Sequence, residues 1–244
     1  MRITVCIIFF TLLSLQGYSQ KFKLGTSIGT SYILWHENQV TLDLGGQLTF
    51  QLPTKKYQIF AKLKALGNLY DSPANPNLLL HVDNTTNQPV QASYRGGQAE
   101  TGIRWNASSG FSPSLALSSK SMARKLTTNQ SAYLEEEKYA LHGVNAGLAY
   151  KAQWKETSVE LNGQIFVPLY QRITLYGELV GIPKSIMTAS NTPSYQTDLH
   201  LRYKRVGLTL SYEIVNFGSP QGQSSKSIKS SHADILSSLL TFYF

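Results

Sequence analysis

The feature that most restricts this chain is the alternation of apolar and polar residues over segments of about ten residues, repeated from Phe22 to the last position. Val40 to Leu52 shows it most clearly. Val40, Leu42, Leu44, Leu48, Phe50 and Leu52 fall on one face, with Thr41, Asp43, Gln47, Thr49 and Gln51 on the other. Side chains along a strand point alternately to opposite faces, so a period of two predicts strands rather than helices. The pattern recurs over Phe22 to Leu34, Tyr57 to Ala65, the segment ending at Trp105, the segment starting at Phe111, the segment ending at Tyr150, and the segment starting at Val159. It ends with Tyr195 to Tyr203, Val206 to Ile214 and Leu236 to Phe244, which makes ten segments.

The connections carry a second signal. Pro53 to Lys56, Asn106 to Gly110, Ala152 to Thr157 and Lys204-Arg205 are short. Tyr70 to Ala92, Lys125 to Lys138, Tyr170 to Ser194 and Gly218 to Ser231 are long, with Trp35 to Gln39 as the brief exception among them. Alternating short and long connections predict an antiparallel up-and-down sheet with both termini on the short-turn side, hence an even strand number between eight and twelve. One stretch admits two readings. Leu169, Ile173, Leu175 and Leu179 continue the apolar series past Pro168. Either that strand runs on and turns near Gly181-Ile182-Pro183-Lys184, or Ile173 to Val180 is a separate strand pairing with a loop strand such as Leu78 to Val82.

Before this series, Met1 and Arg2 precede an apolar run of 13 residues from Ile3 to Leu15, followed by Gly17-Tyr18-Ser19. A spanning helix needs about 20 apolar residues, so residues 1–19 are expected to be a signal peptide cleaved after Ser19, and residues 20–244 the mature domain. The sole cysteine, Cys6, lies inside that run, which leaves the mature part without a thiol for a disulfide, a metal or a nucleophile. The net charge of +8 is carried largely by turns, as at Lys55-Lys56, Lys151 with Lys155, and Lys204-Arg205. Basic turns suit membrane surfaces, whereas nucleic-acid readers gather cations and aromatics on one face; no nucleic-acid partner is expected.

Alternation alone does not tell an inward apolar face from an outward one, but charges and aromatics do. The centres of the ten apolar faces hold no Lys, Arg, Asp or Glu, as lipid contact requires when a midplane cation costs about 2–4 kcal/mol. Phe50, Tyr57, Trp105, Phe111, Tyr150 and Tyr203 gather at the short-turn ends, and Tyr32, Trp35, Tyr139, Tyr170 and Tyr195 at the other. Such positions predict two aromatic girdles at headgroup level. With the ending Leu240-Thr241-Phe242-Tyr243-Phe244, the whole mature chain resembles the bacterial outer-membrane β-barrel proteins as a class. The resemblance implies a transmembrane antiparallel barrel of about ten strands in the cell outer membrane, with short periplasmic turns and long extracellular loops. It also implies contact with outer-membrane lipids. Leu240, Phe242 and Phe244 would then be the signal read by the barrel-assembly machinery.

The polar face carries Asp43, Lys62, Lys64, Glu100, Arg104, Lys120, Arg124, Glu160, Asp198, Arg202 and Glu213. In so narrow a barrel these are expected to form a paired charge network filling the lumen. Asp198 and His200 resemble the Asp-x-His element of omptin proteases, but lie near the short turn at Lys204-Arg205, away from the outer rim. His142-Gly143-Val144-Asn145 resembles the His-x-Ser-Asn segment of outer-membrane phospholipases and lipid A deacylases, with Val144 in place of the nucleophile. Glu135, Glu136 and Glu137 are read as a solvated charge run rather than a cation site, and His36, His81 and His232 show no metal-ligand spacing. The expectation is therefore a non-enzymatic barrel without cofactor or metal, whose loops serve binding, adhesion or envelope assembly with a surface ligand or envelope protein. The alternatives are a small porin or ion channel, and an outer-membrane hydrolase.

Overall fold

The computed structural model describes residues 22–54, 56–73, 90–107, 110–128, 133–177, 182–219 and 231–244. The expected signal peptide and the Leu78 to Val82 segment lie outside the described residues. Twelve β elements follow one another: β1 (Phe22–Leu34), β2 (Asn38–Gln51), β3 (Tyr57–Asn68), β4 (Ser72–Pro73), β5 (Val90–Trp105), β6 (Phe111–Thr128), β7 (Tyr133–Trp154), β8 (Thr157–Gly177), β9 (Ile182–Thr188), β10 (Ser194–Tyr203), β11 (Val206–Phe217) and β12 (Ser231–Tyr243). Each long strand pairs antiparallel with its neighbour in sequence, and β12 returns to β1, Gly25 facing Tyr243 and Leu34 facing Asp234. The result is a closed antiparallel barrel of ten staves, with no free edge among them.

Two elements add no stave. The two-residue β4 bridges to β5 at Ala92 and Gln91. β9 pairs with the far end of β8, Arg172 facing Thr188, and β10 takes up the same partner strand lower down, Ser194 facing Phe166. The strand runs on as in the continuing-hairpin reading and ten staves result, but Gly177 faces Ile182, so Ile182, Pro183 and Lys184, expected in the turn, open β9 instead. At the short-turn rim, the hairpins turn through Lys155-Glu156 and Lys204-Arg205, with positive φ of 49° at Lys155 and 52° at Lys204. That sign at the first turn residue matches the right-handed twist of the strands it joins.

The wall is uneven. The segment from Lys125 to Lys138, expected to be a loop, is mostly strand: β6 runs to Thr128 and β7 starts at Tyr133. Charges at Arg124, Lys125, Glu136 and Glu137 mimic a solvated loop, yet Arg124 faces Glu137 and Lys125 faces Glu136 across a strand pair that rises above the membrane. At about 3.3 Å per residue, the 22 residues of β7 extend about 70 Å, far more than a tilted strand needs to cross an apolar band about 25 Å tall. The extra length projects outward.

Outside, the apolar faces stand as expected. Leu63 and Leu117 are each 66% exposed, and Leu42, Leu161 and Leu208 also face outward, while Asp43 is fully buried. Tyr57, Trp105, Phe111, Tyr150 and Tyr203 ring the short-turn end, and Tyr32, Tyr170 and Tyr195 the opposite one. Phe50 is half-buried against Phe22. Trp35 and Tyr139 break the expected girdle, since both lie inside the barrel. Tyr139 shares the inward face of Leu141 and Asn145, and Trp35 sits in the β1–β2 turn that folds into the lumen.

A second departure is a β-bulge. His142 faces Tyr170 and Gly143 faces Pro168, so Leu169 is the extra residue on β8. One inserted residue exchanges inside for outside. Leu169 is exposed, but Ile173 and Leu175, which continue its parity in the sequence, point inward and are buried.

Candidate functional site

The interior is divided in two along the barrel axis. The half nearer the short turns is a polar chamber of about 510 Å³, with Lys62, Glu100, Arg104, Glu160, His200 and Tyr243 among its lining residues. Strand parity brings these together, because neighbouring staves present their polar faces to one enclosed space. Lys62 lies 3.4 Å from Glu100, and Arg104 donates to Glu160 at 2.8 Å. Higher up, Lys64 pairs with Asp43 at 2.7 Å and Lys120 pairs with Glu213. Ser31 donates to Asp43, and Lys64 also donates to Ser237 at 3.0 Å.

All eleven charged residues expected in the lumen network lie on the inner face; eight of them form four ion pairs, and Arg124 pairs with Glu37. The other two are held differently. Asp198 accepts from Asn162 at 3.1 Å and from Gln196 at 2.8 Å. The Arg202 guanidinium lies 4.1 Å from the centre of the Tyr243 ring and donates through Nε to the Lys204 carbonyl. A buried ion pair gains in Coulomb attraction about what it loses in hydration, so this network fixes the position of groups more than it adds stability.

The outer half of the interior is an apolar core. Ile33, Met122, Leu141, Ile173, Val215 and Phe217 belong to it. The Trp35 ring sits 5.0 Å from Phe217, 5.4 Å from Tyr94 and 5.5 Å from Tyr139. Alongside lies a charged latch. Arg124, 1% exposed, makes a two-pronged contact with Glu37, with Nε to Oε2 at 2.9 Å. The Tyr94 hydroxyl donates to the same carboxylate at 2.6 Å and accepts the Glu37 backbone N–H at 2.9 Å. Two strands, β5 and β6, thus hold the β1–β2 turn inside the barrel mouth.

The same neighbourhood corrects the reading of the Glu135 to Glu137 run. Glu137 is buried, accepts from the Tyr139 hydroxyl and lies 3.4 Å from His36, while Glu136 pairs with Arg95 on the outer surface. The Glu135 side chain lies outside the described residues. Glu37 and Tyr94 were not singled out in the sequence, although each carries the parity of the inner face: Glu37 with Gln39, Thr41 and Asp43, Tyr94 with Gln98 and Glu100. Strand parity followed to the ends of the strands would have found both.

Among the described residues, neither histidine motif assembles a triad. His200 lies between Thr209 at 2.8 Å and Tyr243 at 2.9 Å, deep toward the short-turn rim. His142 stands outside the barrel, exposed and stacked on Tyr170 with ring centres 6.2 Å apart.

A closed barrel with apolar side chains outside, aromatic rings at both ends of that belt and ion pairs within is an outer-membrane β-barrel, and the protein resides in the cell outer membrane. No family model and no curated protein matches the sequence. Among solved structures, the chain is similar to the outer membrane protease OmpT of Escherichia coli: TM-score 0.50 and 8% identity over 92% of this chain and 96% of that one. It is also similar to the translocator domain of the autotransporter NalP from Neisseria meningitidis, with TM-score 0.44 and 8% identity over 100% of this chain and 96% of that one. A major outer membrane protein from Thermus thermophilus gives TM-score 0.46 and 8% identity over 93% of this chain and 100% of that one. At 8% identity, the likeness to OmpT is one of fold.

Proposed function

We propose that the protein is a non-enzymatic outer-membrane barrel with a side-chain-filled lumen, which presents its outer end for binding, adhesion or envelope assembly. The observation carrying this reading is the Trp35-centred core in the outer half of the interior, pinned by Arg124 and Glu37. Water and ions entering the polar chamber from the periplasmic side meet packed rings rather than a continuous polar path. The barrel then acts as a rigid stand, and recognition falls to the raised β6–β9 wall and the connections beside it. Its partners on this reading are outer-membrane lipids and an envelope protein or surface ligand.

Insertion of purified protein into planar bilayers tests this. A silent bilayer at about ±100 mV, a typical membrane potential, is expected, and stable, uniform conductance steps would replace the reading with a porin. For a hydrolase, turnover of lipid or peptide would have to vanish in a His142→Ala or His200→Ala variant. During biogenesis, we propose that Leu240, Phe242 and Phe244 are read by the barrel-assembly machinery; all three point outward, and Phe244 donates its N–H to the Leu24 carbonyl at 2.9 Å.

A further inference from the structure

The outer surface of the raised wall carries a group of cations immediately beyond the apolar belt. Arg95 on β5 faces Ala123 on β6, which in turn faces Lys138 on β7. Arg172 on β8 faces Ala140, two residues along from Lys138, and Lys125 faces Glu136. All four cationic side chains belong to the outward parity of their strands, and Arg95, Lys138 and Arg172 are exposed. Glu136 pairs with Arg95 and leaves the group with a clear positive excess. From β5 to β8, at about 4.8 Å per strand, the patch is about 14 Å wide.

Height can be read from the residue count. Arg172 lies two residues beyond Tyr170, and Lys138 four beyond His142, the pair that stacks at the edge of the belt. At about 3.3 Å per residue and a tilt of about 40°, the two cations stand about 5 and 10 Å above that ring level. This is the headgroup zone. Directly below are the outward-facing Val144, Val167 and Leu169, the last at the bulge.

The distribution is one-sided. At the outer ends of the remaining staves the outward positions hold Tyr32, Leu34, Leu69, Tyr195, Tyr212 and Asp234, and among the described residues no outward Lys or Arg stands there. General attraction to an anionic surface would not confine the cations to one wall. A patch about 14 Å wide, with cations at two heights, suits a headgroup bearing more than one phosphate better than a single phosphate ester.

We infer that the outer face of β5–β8 is a binding site for a phosphorylated glycolipid of the surrounding outer leaflet, with Lys138 and Arg172 on its phosphates and its acyl chains against Val144, Val167 and Leu169. Charge complementarity and the apolar surface directly below identify the occupant as a lipid rather than a soluble anion. The site is independent of whether the lumen conducts.

Detergent-solubilised, folded full-length protein would be titrated with bisphosphorylated lipid A and bound copies counted by native mass spectrometry. Parallel titrations use the same glycolipid without its phosphates and phosphatidylglycerol, and inorganic phosphate serves as competitor. The expected result is binding of bisphosphorylated lipid A that weakens at least tenfold in a Lys138→Ala/Arg172→Ala variant and is kept in Lys138→Arg. Both residues are exposed, and the heat-dependent gel shift of the folded barrel confirms that the variant is intact. Unchanged affinity in the double alanine variant, equal affinity for the phosphate-free glycolipid or phosphatidylglycerol, or full displacement by inorganic phosphate would each overturn the site.

Discussion

Replacing Glu37 with Gln removes the carboxylate that faces a guanidinium 1% exposed to solvent. Breaking a buried ion pair from one side costs about 3–5 kcal/mol, because the remaining charge stays buried without its counterion. Glu137, directly across from Arg124 in the strand register, softens the loss. That places the expected cost at about 3 kcal/mol, a decrease of roughly 150-fold in the folding constant. Arg124→Met strands the Glu37 carboxylate in the same way and is expected to cost a similar amount. The double variant Glu37→Gln/Arg124→Met buries no unpaired charge at this pair and should return to within about 1 kcal/mol of the parent. Equilibrium unfolding in urea from lipid vesicles measures all four proteins, and Trp35, packed beside the latch, reports by fluorescence. Equal urea dependence across the set is required before the midpoints are compared. If the double variant loses the sum of the two single losses, the carboxylate and guanidinium act independently and the latch does not exist.

Ile165 faces lipid near the middle of β8 while Val159 sits near its periplasmic end, so Ile165→Arg should cost about 2–4 kcal/mol and Val159→Arg at most about 1 kcal/mol, read by the same unfolding assay. At the bulge, a Cβ on Gly143 would meet the Val167 carbonyl oxygen at 2.1 Å. Gly143→Val should therefore separate β7 from β8 there, reduce the yield of heat-shifted folded barrel, and expose Ile173 and Leu175 to a hydrophobic dye. Deleting Phe244, whose side chain is 74% exposed, should leave refolding into vesicles near parental yield while sharply reducing assembly into the outer membrane of cells. An equal loss in vesicles would make the residue structural rather than a signal. Trp35→Ala empties the space between Phe217, Tyr94 and Tyr139 and is expected to cost about 3–5 kcal/mol in urea unfolding.

The period-two pattern determined the strands and which residues share a face, because a strand's parity is a local property of the chain; the charge-free centres of the apolar faces and the aromatic rings at the strand ends then set Asp43, Lys62, Glu100 and Glu213 inward. Together these features also pointed to the membrane, since aromatic rings gathered at both ends of a charge-free apolar belt suit two headgroup interfaces. The bulge at Leu169 was not legible, because one extra residue is recognised only against the partner strand that lacks it, and it reverses the side on which Ile173 and Leu175 stand. Nor did the sequence reveal that the β1–β2 turn folds inward. Trp35 reads as an interfacial ring and Glu37 as a solvated acid until Tyr94 and Arg124, 57 and 87 residues away from Glu37, are brought beside them. Which acid meets which base, and where the polar chamber gives way to packed rings, depends on how ten staves close around one axis. That closure is a relation between distant strands, and only the tertiary structure decided it.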